Sequence, residues 1–534
     1  MKQGKVDPVS LEIFKNMFIS VADEMGVTLG RTGYSPNIKE RRDYSCAFFD
    51  DQGRMVSQAA HIPVHLGAMP ASVEKAIEMF TFQPGDTVIL NDPFLGGTHL
   101  PDITLVSPVY VPQGKKGQGG ELFGFVASRA HHADVGGMSP GSMPLSTELY
   151  QEGFIIPPLK LVEGGVINQT IITLLCRNVR TPEERQGDLA AQIAASRVGE
   201  RRIHEILSRY GAKATKSHID ALTNYSQRLT REAIKAIPDG KYNFKDYMDS
   251  DGQTDEPITI AVEITVDGDS VTFDFTGSSP QQKGSINAVL AVTQSVCLYV
   301  VRCIVGEEIP ANHGSLMPIK VIAPPGSVVN PSPPAAVSAG NVETSQRIAD
   351  VLLGALAQAL PQVTPAASQG TMNNLVIGGY DPLRKKSFTY YETIAGGMGA
   401  RPGLPGISGI HTHMTNTMNT PVEALEFQFP FRVLAYSFRE GSGGKGKFPG
   451  GDGIRREMLF LAPCTVTIMS ERRKFEPYGL QGGAPGGKGR DTLRRKGEAS
   501  DIALPGKVTL DVGEGDVLTM LTPGGGGWGG EEKM

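Results

Sequence analysis

The stretch TPEERQGDLAAQIAASRVGERRIHEILSRYGAKATKSHIDALTNYSQRLTREAIKAI at 181–237, read with ITIAVEITVDGDSVTFDFTG at 258–277, decides the fold class. The first is long, charged, Ala-rich and amphipathic, which predicts a helical segment. The second alternates apolar and polar residues about an Asp-Gly pair, which predicts a hairpin and opens a β-rich section from about Gly240. Helices and strands arrive in separate blocks, so the expected class is α+β. Toward the N-terminus, residues 10–30 carry Leu11, Ile13, Phe14, Met17, Phe18, Val21 and Met25 at helical spacing, with Ser10 as the expected N-cap. Short β-rich runs follow at 45–58, 86–94, 103–111 and 121–129, with a helix expected at 71–80 and a Gly- and Lys-rich loop at 113–120. Beyond the decisive stretch, a helix is expected at 343–360, and NVETSQR at 341–347 would either line the active cleft or cap that helix at Thr344 or Ser345, the cap being preferred. The runs at 465–470, 507–512 and 517–521 suggest a β-layered tail. Four regions result: a mixed α and β region at 1–180, helices at 181–237, a β-rich region at 238–440 and a Gly-rich β-layered region at 441–534.

Composition removes several function classes. Hydrophobic residues make up 40% and charged residues 20% of 534, enough apolar material for a large core, which excludes global disorder. Formal net charge is −5 with no long basic run, so nucleic acid is not an expected partner. Five scattered cysteines without a CxxC pair suggest neither a disulfide framework nor a thiolate zinc site. Asp7 and Pro8 interrupt any signal-like apolar stretch, and no run of about 18 apolar residues occurs. A soluble, cytoplasmic protein is expected. Glycine is the outlier, 65 residues in clusters such as Gly443-Gly444, Gly450-Gly451 and Gly524 to Gly527, read as tight turns and close backbone approaches.

Candidate chemistry concentrates early. His61 and His65 lie in QAAHIPVHLGAMP, His99 and Asp102 in GGTHLPDITLV, and His131, His132 and Asp134 in SRAHHADVGG. The last two segments each set His and Asp in a Gly-flanked turn beside a β-run, a ligand set suited to zinc, manganese or iron. The competing reading is a group of hydrogen-bonded structural histidines. A second polar concentration, HTHMTNTMNT, places His411 and His413 on one face of an extended segment. It would serve as a second metal site, a substrate-binding rim or an Asn/Thr-satisfied loop. Two apparent motifs are rejected: Pro140 removes the amide a G-x-S-x-G nucleophile elbow needs, and Phe448 or Gly489 stands where a P-loop requires Ser or Thr.

These residues resemble a known family, the hydantoinase B/oxoprolinase family. The resemblance rests on ERRDYSCAFFD (40–50), QAAHIPVHLGAM (58–69), NDPFLGGTHLPDITLV (91–106), AHHADVGG (130–137), DLAAQIAA (188–195), HTHMTNTMNTPVEALE (411–426), GSGGKGKFPGGDGIRRE (441–457) and PGGGGWG (523–529), and so covers nearly the whole chain. It implies a hetero-oligomer with a hydantoinase A-type ATPase subunit that uses ATP to phosphorylate the carbonyl oxygen of a cyclic amide, while this chain completes ring opening. It further implies a divalent metal ion on Asp43, His99, Asp102 and His131, with His131 preferred to His132, and water orientation or proton transfer by His132 or Asp134. His61, His65, His411 and His413 are expected around the substrate. A ketone carboxylase subunit of the acetone or acetophenone type, and a non-catalytic scaffold for an ATPase, are the alternatives.

Overall fold

The computed structural model describes residues 6–59, 61–112, 120–306 and 308–530. The fold is α+β, as expected. Its N-terminal part is built on a seven-stranded antiparallel sheet in the order Met55–Gln58, Tyr44–Asp50, Leu122–His131, Asp102–Tyr110, Thr87–Leu90, Leu159–Glu163, Val166–Ile167. The run SCAFFD is buried on both faces, so its apolar residues do not alternate. Phe48 points to a core with Phe14, Phe18 and Met25 of the helix Pro8–Thr32 and Ala191 and Ala195 of Pro182–Tyr210. Phe49 points the other way, to Met69, Val73 and Ala76 of the helix Met69–Met79.

The first helix begins earlier than its periodicity indicates. Asp7, not Ser10, is the N-cap: its carboxylate accepts from the amides of Val9 and Ser10 at 3.1 and 3.0 Å, and Pro8 takes the first helical position. The decisive stretch forms Pro182–Tyr210 and Ala212–Ile234, broken at Gly211 with φ +80°. The hairpin Ile258–Asp267 to Ser270–Asp274 turns at Gly268 and joins Gly240–Met248 and Ile319–Ile322 in a four-stranded sheet. That sheet packs against the helices Leu290–Val305 and Ser345–Ala359. The loop expected at 113–120 falls, through 119, outside the described residues.

The C-terminal part is two sheets packed face to face through Leu375, Ile377, Phe431, Met458, Val466 and Leu518. A division at 440 does not correspond to structure, because Phe431–Arg439 pairs with Gly453–Phe460 across it and Asn374–Asp381 pairs with Cys464–Met469. Beside these sheets the glycine clusters stack backbone against backbone. Gly444 and Gly525 donate to Gly525 and Gly451 at 2.8 and 2.9 Å, and a Cβ on Gly450 would stand 2.0 Å from the carbonyl of Gly525. Here glycine is required by the closeness of the chains, not by turns. All five cysteines are free thiols.

Candidate metal centre

Three neighbouring strands end at one edge of the N-terminal sheet and bring distant residues together. Asp102 opens its strand directly opposite His131, which closes the adjacent one. His131 in turn donates its amide to the carbonyl of Asp43 at 3.0 Å, which places Asp43, just ahead of Tyr44–Asp50, on the third strand. His99 joins from the turn before Asp102, whose amide donates to the His99 carbonyl at 3.1 Å.

Within this edge, His99 Nε2 lies 3.3 Å from Asp102 Oδ1, and His131 Nδ1 lies 3.7 Å from the same oxygen and 4.0 Å from Asp43 Oδ2. His99, Asp102 and His131 offer ligand atoms all within 4.8 Å of one another. His99 Nε2 and Asp102 Oδ1 are buried without a hydrogen-bond partner among the described residues, and His131 turns Nδ1 toward them. Leaving such atoms unsatisfied is costly, and a divalent cation accepts all of them, so the donor set fits a metal ion. The other polar atoms of Asp102 and His99 are tied down. Asp102 Oδ2 accepts from Thr98 Oγ1 at 2.6 Å and Asn341 Nδ2 at 3.3 Å, and His99 Nδ1 meets the Ser338 carbonyl at 3.3 Å. The two groups are electrostatically coupled: although burial pushes Asp102 up, the imidazoles of His99 and His65 hold it well below the usual carboxylate range, and although burial pushes His99 down, Asp102 raises it above the usual histidine value. Burial, with His99 beside it, holds His131 well below the usual histidine value, so its ring is a neutral ligand.

The cluster opens onto an enclosed cavity of about 20 Å³, room for one water or ion. Its walls include Asp43, His65, Asp102, His131 and Asn341 with Ile62, Val64, Val342, Met372, Tyr391, Met414 and Thr415. The structure thus brings Asp43, His99, Asp102 and His131 together and adds His65, whose Nε2 is 3.4 Å from Asp102 Oδ2 while Nδ1 meets Ser45 Oγ at 2.9 Å.

The other expected residues do not line this cavity. His132 is buried with Nε2 3.0 Å from Gln192 Oε1 and faces a separate apolar cavity with Val135, Phe154, Leu175 and Arg185. Asp134 accepts from the amides of Arg180 and Gly141 at 2.8 and 3.2 Å and pairs with the Arg180 guanidinium at 2.9 Å, so its oxygens are engaged away from the cavity. His61 packs edge-on against Tyr44 and accepts from the Cys46 amide at 3.1 Å. His413 lies 3.3 Å from Asp350, and His411 is held to about 4 by burial and Arg41; their segment reaches the cavity through Met414 and Thr415 instead.

The expected cap at Thr344 or Ser345 is corrected. Gly340–Thr344 is a π turn leading into the helix, Ser345 Oγ donates to the Asn341 carbonyl at 2.7 Å, and no side-chain cap bond forms. A wide turn here swings Asn341 onto Asp102. Asn341 belongs to the 341–347 stretch that the sequence offered as a cleft wall, whereas the aromatic wall of Tyr391, stacked on His131 at 4.6 Å, carries no local sequence signal because only tertiary packing brings it in.

The chain matches the family model described as Hydantoinase B/oxoprolinase over residues 7–531. It is 41% identical over 530 residues to an uncharacterized protein of Methanocaldococcus jannaschii, covering 98% of this chain and 91% of that protein. It is 40% identical to 5-oxoprolinase 1 of Arabidopsis thaliana over 99% of this chain, yet it spans only 42% of that longer protein. The fold superimposes on the crystal structure of the ATP-dependent caprolactamase from Pseudomonas jessenii with a TM-score of 0.91, 27% identity and coverage of 99% and 92%. On this agreement of sequence and fold, the chain belongs to the hydantoinase B/oxoprolinase family.

Proposed function

We propose that this chain is the B-type subunit of an ATP-dependent hydrolase of cyclic amides, acting on a hydantoin, 5-oxoproline or another lactam, in a cytoplasmic hetero-oligomer with a hydantoinase A-type ATPase. The observation that carries the proposal is the convergence of unpartnered, buried His99 Nε2 and Asp102 Oδ1 beside His131 in a family whose relatives include a 5-oxoprolinase and an ATP-dependent caprolactamase. This chain spans 42% of the length of that 5-oxoprolinase.

An amide carbonyl is a poor electrophile, and phosphorylating its oxygen in the partner removes the resonance that protects it. Water then adds to that carbon, the ring C–N bond breaks with a proton delivered to nitrogen, and hydrolysis of the resulting acyl phosphate releases phosphate. Overall, one cyclic amide, one ATP and two waters give the opened amino acid, ADP and phosphate.

Asp43, His99, Asp102 and His131 would hold a zinc, manganese or iron ion, which supplies Lewis acidity that lets water ionise near neutral pH. Among the chain's own residues, His65 takes the proton-handling role first expected of His132 and Asp134. It lines the cavity, and its bond to Ser45 Oγ through Nδ1 leaves Nε2 directed inward. Tyr391 and the aliphatic wall exclude bulk water from the activated carbon. A ring substrate exceeds the present cavity, so its entry requires displacement of the 411–417 segment that closes one wall.

The test is reconstitution with an A-type partner and measurement of ATP-dependent ring opening of hydantoin, 5-oxoproline and caprolactam, with and without bicarbonate. Turnover independent of bicarbonate, falling at least 100-fold in His99→Ala, is expected. An absolute bicarbonate requirement would replace the hydrolase with a ketone carboxylase, and turnover within a few-fold of wild type in His99→Ala would leave only a scaffold.

A further inference from the structure

We propose that Glu152 is a positioning residue that sets the tautomer and aim of His99, an inference that rests on the metal-centre reading above. Glu152 follows the short turn Leu149–Gln151 and is wholly buried, outside the cavity. Its Oε1 accepts three hydrogen bonds, from Ser146 Oγ at 2.7 Å and from the amides of Val337 and Ser338 at 2.8 and 3.0 Å. The same turn donates the Leu149 amide to the Pro334 carbonyl at 2.8 Å, so the segment 334–338 is gripped at both ends. The Ser338 carbonyl that leaves this grip lies 3.3 Å from His99 Nδ1. A carbonyl only accepts, so this contact puts the proton on Nδ1 and leaves the lone pair on Nε2, the atom facing Asp102 Oδ1. The chain of contacts runs from Glu152 through one backbone unit to a ligand atom, joining segments remote in sequence.

The second carboxyl oxygen of Glu152 is buried without a partner among the described residues, and burial pushes the carboxyl up to about 7. What the site draws from this residue is one acceptor oxygen at a set reach, the oxygen that takes all three hydrogen bonds. That distinguishes positioning from bulk: glutamine keeps both oxygen and reach, aspartate keeps the carboxyl but retracts it by a methylene, and alanine loses both.

Cobalt(II) is the probe, because its visible d–d bands report ligand number and geometry and its affinity is read by chelator competition without turnover. Using the full chain, Glu152→Gln is expected to bind cobalt within threefold of wild type and with the same spectrum. Glu152→Asp and Glu152→Ala are expected to bind on the order of 10- to 100-fold more weakly with altered bands. Aspartate and alanine variants that bind as wild type overturn the inference while leaving the metal centre standing, whereas wild type that takes up no cobalt removes the metal centre itself. If the shortened variants fail to fold, the wild type decides. In alkaline buffer, the histidine-labelled metal-free chain should show the Nδ1–H tautomer for His99 by nitrogen NMR, identified by the signal lost in His99→Gln. An Nε2–H tautomer would overturn the inference.

Discussion

At the scale of single residues, the centre divides its atoms into two sets, those fixed by the protein and those left free. Asp102 shows the division most clearly: Oδ2 is held by Thr98 and Asn341, while Oδ1 faces His99 and His131. Removing a holder should loosen the free atom without deleting a ligand. Asn341→Ala and Thr98→Val are each predicted to weaken metal affinity by about 10- to 100-fold, with thermal stability changed little, as measured by chelator competition beside calorimetry. A second residue-scale prediction concerns Glu343, fully buried on the π turn, where its carboxyl accepts from Asn374 Nδ2 at 2.7 Å and the Met372 amide at 2.9 Å. Burial raises it from 4.5 to about 7. Between those values the unfolded chain releases a proton that the folded chain keeps, so this group's contribution is present at low pH and is lost as pH rises toward 7. The loss is about 3 kcal/mol at most. Denaturant titrations should show wild type losing stability relative to Glu343→Gln over that interval; parallel curves would contradict it.

At the scale of elements, the strand ends do the assembling. The Asp102 and His131 turns were legible as ligand-bearing turns from His and Asp beside β-runs, because turn chemistry is local. Their pairing was not, since it depends on Leu122–His131 lying between Tyr44–Asp50 and Asp102–Tyr110. Asp43 entered only through family resemblance, and the stretch that holds Asn341 allowed a cleft wall as well as a helix cap, the cap being preferred because a π turn leaves no distinctive periodicity. His65 was recognised as chemically relevant, though not as a neighbour of Asp102. The Asp7 cap was legible in the Asp-Pro pair but overshadowed by Ser10. The glycine clusters were legible as close approaches in kind, though not in partner. They give a prediction at this scale: Gly450→Ala forces a Cβ within 2.0 Å of the Gly525 carbonyl and should cost about 1–3 kcal/mol. Gly530→Ala, with nothing within 4 Å, should be neutral. Thermal melts of the two variants make the comparison, and equal midpoints would contradict rigid stacking of the layer.

At the scale of the whole molecule, the two C-terminal sheets interleave along the chain, strands on either side of residue 440 pairing with one another. No helix among the described residues is long and apolar enough to cross a membrane. The centre sits where the N-terminal sheet, the π turn at Gly340–Thr344 and the segment through Met414 and Thr415 meet, so each contributes a wall to one cavity. That arrangement explains why the site was only half visible in sequence: ligands cluster in local turns, whereas walls are recruited from hundreds of residues away. The central claim is that this junction holds a divalent ion on His99, Asp102 and His131. It is tested most directly by elemental mass spectrometry of the purified chain, wild type beside His99→Ala and His131→Ala. About one equivalent of zinc, manganese or iron in wild type, lost from both folded variants, is the predicted result. A wild type that holds no such metal even after resupply, or variants that retain it in full, would contradict the account.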